Sequence, residues 1–181
     1  MKQHYYQKFI ILTFCFFITS LTVINAQETS IFDIAREGTL EQLKSAVKKD
    51  ANIINKISKD GYVPLTLACY YSNNEVAKYL IENVKDVNSK SGYGTPLMAA
   101  TVKKNTELVK LLLNKKANPN ATDQNGSTAL HFSVIFGYEE IIELLIAAKA
   151  DATIKDNRSK SALDYAKITG NEKITQLLKQ Q

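Results

Sequence analysis

An all-α solenoid, stacked from helix–turn–helix units with short hairpin-like fingertip loops between them, is the fold this sequence predicts. Three observations predict it. The blocks Pro64-Leu65-Thr66-Leu67-Ala68, Pro96-Leu97-Met98-Ala99-Ala100, Ala129-Leu130-His131-Phe132-Ser133 and Ala162-Leu163-Asp164-Tyr165-Ala166 align, with leucines 32, 33 and 33 residues apart. A second set follows at the same period: Tyr79-Leu80-Ile81, Leu111-Leu112-Leu113, Leu144-Leu145-Ile146 and Gln176-Leu177-Leu178. Between the sets, Gly38, Ser72, Lys104, Gly137 and Gly170 mark a turn, at spacings of 34, 32, 33 and 33. Self-similarity at such a period is the signature of an architecture in which each unit packs only on its neighbours.

Residues 1–26 read as a signal peptide, leaving a repeat domain over 27–181. Lys2 and Lys8 supply a basic start, residues 9–18 an apolar run, and Ile24-Asn25-Ala26 the spacing of a cleavage site after Ala26. Thr13, Thr19, Ser20 and Thr22 interrupt the apolar stretch, which is too short and polar for a stable membrane span. Nothing after Cys15 has the small-residue context of a lipid anchor.

Five units follow, over 28–57, 58–89, 90–122, 123–155 and 156–181. The first is a cap: Ile31 to Gly38 lacks the Pro-Leu start, and Lys44, Lys48 and Lys49 meet water. In the middle units, Thr95 and Thr128 suit an N-cap and Pro96 the first helical position. Leu97, Ala99 and Ala100 are expected to face inward, with Gly137 turning the chain into a second helix striped by Ile141, Leu144 and Leu145. Ala117-Asn118-Pro119-Asn120 and Ala150-Asp151-Ala152-Thr153 end second helices, and Asp123-Gln124-Asn125-Gly126 forms a fingertip. The last second helix, from Asn171 to Gln180, carries Ile174, Leu177 and Leu178 on one side and is polar elsewhere, as a terminal cap must be.

This pattern resembles the ankyrin repeat over nearly all of 27–181. Thr128-Ala129-Leu130-His131, with Gly137 and Leu144-Leu145, matches the family's Thr-Pro-Leu-His…Gly…Leu-Leu signature most fully. Departures are Val63 in place of the capping Thr, Ala129 and Ala162 in place of Pro, and a third fingertip, Ser91-Gly92-Tyr93-Gly94, one residue short and so expected to differ in shape. The resemblance implies that His131 bonds near its helix start and to the neighbouring fingertip, and that partners bind at the fingertips and inner ends of the first helices.

Composition narrows the function. The 181 residues are 45% hydrophobic and 23% charged, with 7 Gly and 3 Pro, which suits a globular chain rather than a disordered or collagenous one. Removing Lys2 and Lys8 lowers the net charge from +5 to +3, with the charges interspersed, so no basic face for nucleic acid is expected. Of 2 Cys and 2 His, the leader takes Cys15 and His4, leaving Cys69 and His131. That excludes an internal disulfide and leaves little with which to build a metal site or a nucleophile–His pair. Cys69 reads as a buried small hydrophobe, and Glu139-Glu140 as solvated surface. Asn120-Ala121-Thr122, Asn125-Gly126-Ser127 and Asn157-Arg158-Ser159 match the glycosylation triplet, which matters only in a eukaryotic secretory pathway. The Lys-, Asn- and Ile-rich composition, without Trp, favours a bacterial source.

Residues that the repeat does not need point to a contact surface. They are Tyr62 and Tyr93 at fingertips, and Tyr70, Tyr71, Lys103, Ile135 and Phe136 at helix ends, with Val102 and Ile168-Thr169 continuing the row. Aromatics there suit an interface. The expected function is an exported, non-catalytic module, periplasmic or secreted, without cofactor or metal. It binds another protein as accessory, stabiliser or inhibitor. The alternatives are a secreted effector engaging host proteins, or a structural protein self-associating through its aromatic face; otherwise a monomer is expected.

Overall fold

The computed structural model describes residues 29–179; the segment read as a signal peptide, with Cys15 and His4, lies outside them. Among the described residues ten α-helices run in order: α1 (Ile31–Glu37), α2 (Leu40–Lys49), α3 (Pro64–Tyr70), α4 (Asn74–Asn83), α5 (Pro96–Val102), α6 (Thr106–Asn114), α7 (Ala129–Ile135), α8 (Glu139–Ala147), α9 (Ala162–Ile168) and α10 (Glu172–Lys179). Odd-numbered helices pack on the next odd-numbered helix, and even-numbered on even-numbered, giving two helical layers. Among the described residues, no helix is long and apolar enough to cross a membrane.

Each first helix is about two turns long, too short to persist alone, so its ends are fixed chemically. Thr95, Thr128 and Ser161 accept the N–H of Met98, His131 and Asp164, whose side chains reach back to the N-cap backbone. Val63 makes no such bond, and Pro64 alone starts α3. The chain then reverses in the left-handed region at Ser72 (φ 57°), Lys104 (φ 55°), Gly137 (φ 70°) and Gly170 (φ 68°). Gly38, at φ −77°, turns without it.

Leu97, Ala99 and Ala100 are buried as expected. The second-helix stripe differs from the expected one. Ile141, Ile142 and Leu145 are buried, while Leu144 is only half-buried. Helix α8 lies between α6 and α10 as well as beneath α7, so residues on three sides are covered and Leu144 falls at the edge.

Neighbouring units are stitched by asparagines at the repeat period. Asn55, Asn88 and Asn120 accept, through Oδ1, the N–H of Lys85 (2.9 Å), Asn118 (2.7 Å) and Asp151 (2.7 Å) one unit later. The Asn120 amide also donates to the Lys149 carbonyl at 3.1 Å, so this glycosylation-triplet side chain is engaged at both ends. Ion pairs join the second helices: Lys78–Glu107 (2.9 Å), Lys110–Glu140 (3.0 Å), Glu82–Lys115 and Glu139–Lys173. Glu139 and Glu140, expected as plain solvated surface, thus each hold a different neighbouring unit. These pairs are exposed, so each stabilises little.

Three fingertips share one design, closed by N–H groups of Ser58, Asp123 and Asp156 donating to carbonyls of Tyr62, Ser127 and Lys160, each at 2.9 Å. The third is tighter: Ser91 and Gly94 exchange both backbone hydrogen bonds at 2.9 Å around Gly92-Tyr93. Among the described residues the fingertips contain isolated bridges, Ser91–Gly94 and Lys155–Ser161, rather than strands.

Candidate functional site

His131 is fully buried and turned to structure. Its Nδ1 accepts the Thr128 N–H at 3.1 Å, which leaves Nε2 protonated to donate to the Lys160 carbonyl, 3.1 Å away in the next fingertip. Both ring nitrogens are committed. Asn157 adds two bonds to the same joint, from its N–H to the Asn125 carbonyl (2.9 Å) and from Nδ2 to the Gln124 carbonyl (3.1 Å). In the last unit Asp164 takes the corresponding position and caps through Ser161, with no further fingertip among the described residues to reach. Cys69 is fully buried, and desolvation pushes its thiol far up, away from the reactive thiolate. No group of three or more His, Cys, Asp or Glu side chains among the described residues is placed to hold a metal ion.

Five of the seven residues singled out by sequence form one cluster. Tyr93 sits between Tyr62 (centroids 5.1 Å apart) and Tyr70 (4.1 Å, 11° between planes). Tyr71 meets the edge of Tyr70 at 5.5 Å, and the Lys103 ammonium lies 5.0 Å from the Tyr70 ring centre. The short third fingertip makes this column possible. A Cβ added to Gly92 would lie 3.1 Å from Tyr62 Cε1, tighter than an ordinary contact, so glycine lets the loop tip approach this ring without displacing it. A hydrogen bond with Tyr71, then desolvation, holds the Tyr93 phenol above its ordinary pKa.

Tyr62, Tyr70 and Tyr93 are therefore half-buried against one another rather than offered whole to solvent. What remains open is a strip along the first-helix ends: Tyr71 (48% exposed), Ile135 (44%), Phe136 (48%) and Ile168 (64%), with Val102 half-buried between. Phe136 stacks on Tyr138 at 5.4 Å, and Lys104 Nζ lies 5.3 Å from the Tyr138 ring centre. Beside the strip, a cleft of about 240 Å³ opens between the third and fourth fingertips, walled by Tyr93, Val102, Gln124, Asn125 and Phe132.

The helix pairs, capping boxes and His131 bridge coincide with a family match over residues 31–123 and 102–181 to the model for ankyrin repeats in three copies. The chain belongs to the ankyrin-repeat family. Ankyrin repeats are generally protein–protein interaction modules. The chain is similar to the ankyrin repeat and SAM domain-containing protein 6 of Rattus norvegicus, 34% identical over 107 residues, which are 58% of this chain and 12% of that protein. It is similar to the ankyrin repeat and KH domain-containing protein mask of Drosophila melanogaster, 48% identical over 66 residues, 36% of this chain and 2% of that one. With the ankyrin repeat and SOCS box protein 11 of Mus musculus it shares 31% identity over 104 residues, 58% of this chain and 32% of the other. This chain thus spans at most 32% of the length of these three relatives.

Sequence reasoning missed Phe132, Lys104 and Tyr138. Phe132 had a signal: in the ankyrin register it aligns with Leu67, Ala99 and Tyr165, so one position grows from a buried core residue into a groove wall along the stack.

Proposed function

We propose that this ankyrin-repeat chain is an exported, non-catalytic module that holds a partner protein in the groove between its fingertips and first helices, as an accessory, stabiliser or inhibitor. The observation that carries this reading is the row of exposed Tyr71, Ile135, Phe136 and Ile168 at the ends of α3, α7 and α9, with Val102 of α5 half-buried between. Contiguous exposed apolar surface suits a contact site, and a rigid stack loses little entropy on docking. The leader over 1–26 supports export to the periplasm or beyond.

The test is a pull-down from the exported fraction, with wild type beside the double variant Tyr71→Ser/Phe136→Ser. The double change keeps the Tyr62, Tyr93 and Tyr70 rings and every core leucine, so far-ultraviolet circular dichroism should match. Loss of the partner from the variant is expected; equal capture by both would move the site elsewhere. A partner from a host extract would favour the effector role. A concentration-dependent dimer mass lost in the variant would favour self-association. Mass spectrometry of the exported chain should find Gln27 at its start, and a retained leader would overturn the export reading.

A further inference from the structure

We infer that Asn125 is a site of spontaneous modification, converted to aspartate and isoaspartate through a cyclic imide formed with Gly126, at a rate set by the joint between the fourth and fifth units' fingertips. The inference stands apart from the binding-face reading. Among the described residues, Asn52, Asn114 and Asn125 are the exposed asparagines whose side-chain amides make no hydrogen bond. The peptide nitrogen that follows decides which of them can close a ring. Behind Asn52 it belongs to Ile53, whose β-branched side chain crowds it. Behind Asn114 it belongs to Lys115, tied to the Leu111 carbonyl at 3.0 Å at the end of α6. Behind Asn125 it belongs to Gly126, which has no side chain to obstruct approach. The packing favours that glycine. Its φ is +74°, and a Cβ there would lie 3.1 Å from Asp156 Cα in the next fingertip. A side chain is disfavoured on both counts, so the joint itself keeps the labile Asn-Gly pair.

The chemistry is intramolecular and consumes only water. The Gly126 nitrogen attacks Asn125 Cγ, a C–N bond forms, and Nδ2 leaves as ammonia with the proton shed by that nitrogen. Water then adds to either imide carbonyl and breaks its bond to nitrogen. Opening at Cγ gives aspartate, and opening at the main-chain carbonyl carbon gives isoaspartate. In the closed fingertip the ring is held off. The Gly126 N–H donates to the Asp123 carbonyl at 3.2 Å, and the Asn125 carbonyl accepts the Asn157 N–H at 2.9 Å. Asn157 Nδ2 holds the Gln124 carbonyl at 3.1 Å beside them. Bringing the nitrogen to Cγ turns the Asn125–Gly126 peptide and breaks the first two bonds, so the reaction runs through an opened fingertip. Isoaspartate adds a carbon to the main chain between the carbonyls that Asn157 holds, so the joint cannot close again as before. Either product adds a negative charge to the wall of the cleft of about 240 Å³.

The test incubates the purified protein in mildly alkaline buffer and follows each asparagine-containing peptide by tandem mass spectrometry. An isoaspartyl methyltransferase with a labelled methyl donor scores isoaspartate. Amide loss at Asn125 ahead of every other asparagine is expected, with isoaspartate among the products. Asn157→Ala should speed it about twofold to tenfold, the factor by which losing one hydrogen bond raises the opened population. In concentrated urea both chains are open, so their rates should be equal to each other and above that of the native wild type. Asn125→Gln must close a larger ring and should remove the early product. First loss at another asparagine, or an Asn125 that survives even in urea, would overturn the site. Conversion in urea with none in the native protein would overturn it as a property of the folded chain. A native rate equal to the urea rate, or unmoved by Asn157→Ala, would overturn the control by the fifth unit.

Discussion

Replacing His131 by Leu keeps approximate volume while removing the ring's contacts with Thr128 and Lys160 from a fully buried side chain. The Thr128 N–H, 3.1 Å from Nδ1, lies in a residue 1% exposed, so water cannot take over. A buried donor left unpaired costs about 1–3 kcal/mol. The Lys160 carbonyl belongs to an exposed fingertip residue and can be hydrated, so losing the Nε2–H bond costs about 0.5–1.5 kcal/mol. The sum is about 1.5–4.5 kcal/mol, or roughly 3–18 °C in Tm for a domain of this size. His131→Asn retains an acceptor for Thr128 but cannot span to Lys160, so it should lie between wild type and Leu. Urea unfolding followed at 222 nm measures all three. A Leu variant within about 0.5 kcal/mol of wild type would refute the assignment of stabilising roles to both ring nitrogens.

Three further outcomes follow from the packing. Leu145→Ala should cost about 2–5 kcal/mol, but Leu144→Ala less than about 1.5, since only Leu145 is fully buried; equal losses in urea unfolding would mean the stripe is misplaced. Tyr93→Ala opens the column at both faces and should cost about 1–3 kcal/mol for two aromatic contacts, with a loss of near-ultraviolet tyrosine dichroism that a surface residue would not produce. Stability should fall on acidification, and the sign is set by carboxyls held low in the fold. The Tyr165 hydroxyl donates to Asp156 at 2.6 Å, and Ser161 bonds Asp164 through its N–H and its hydroxyl, so each folded pKa lies below the ordinary 3.8. Their contribution is complete above the unfolded pKa, near 4, and disappears as pH falls through the lower folded values. Thermal melts should be flat from neutrality to about pH 5 and then drop, less steeply in Asp156→Asn.

How much was readable beforehand depended on whether a residue's role repeats. Leu97, Leu130, the Thr95 and Thr128 caps and the turns at Lys104 and Gly137 recur with the period, so a single chain displays each several times. Leu144 was misplaced because one helix's periodicity shows a single stripe, whereas α8 is covered on three sides. Tyr62 and Tyr93 could be placed on fingertips, but their contact depends on a loop shortened by one residue, which no helical spacing reveals. The Asn55, Asn88 and Asn120 bridges were in plain view at the repeat period yet unremarkable among many asparagines. Glu140 and Lys110 also lie about one unit apart, but long exposed side chains meet or miss through rotamers, not spacing.

The column of Tyr62, Tyr93 and Tyr70 also bears on how this stack can be rearranged. The joint between the third and fourth units is generic, made of an asparagine bridge and leucine layers that a foreign unit of the same length would reproduce. The joint between the second and third units is keyed. Gly92, the shortened tip and both flanking tyrosines work only together, so either unit transplanted alone would arrive with half of a lock. Chimeras cut at that joint should lose stability that a cut between the third and fourth units retains, and the two units travel as a single cassette of about twice the usual length.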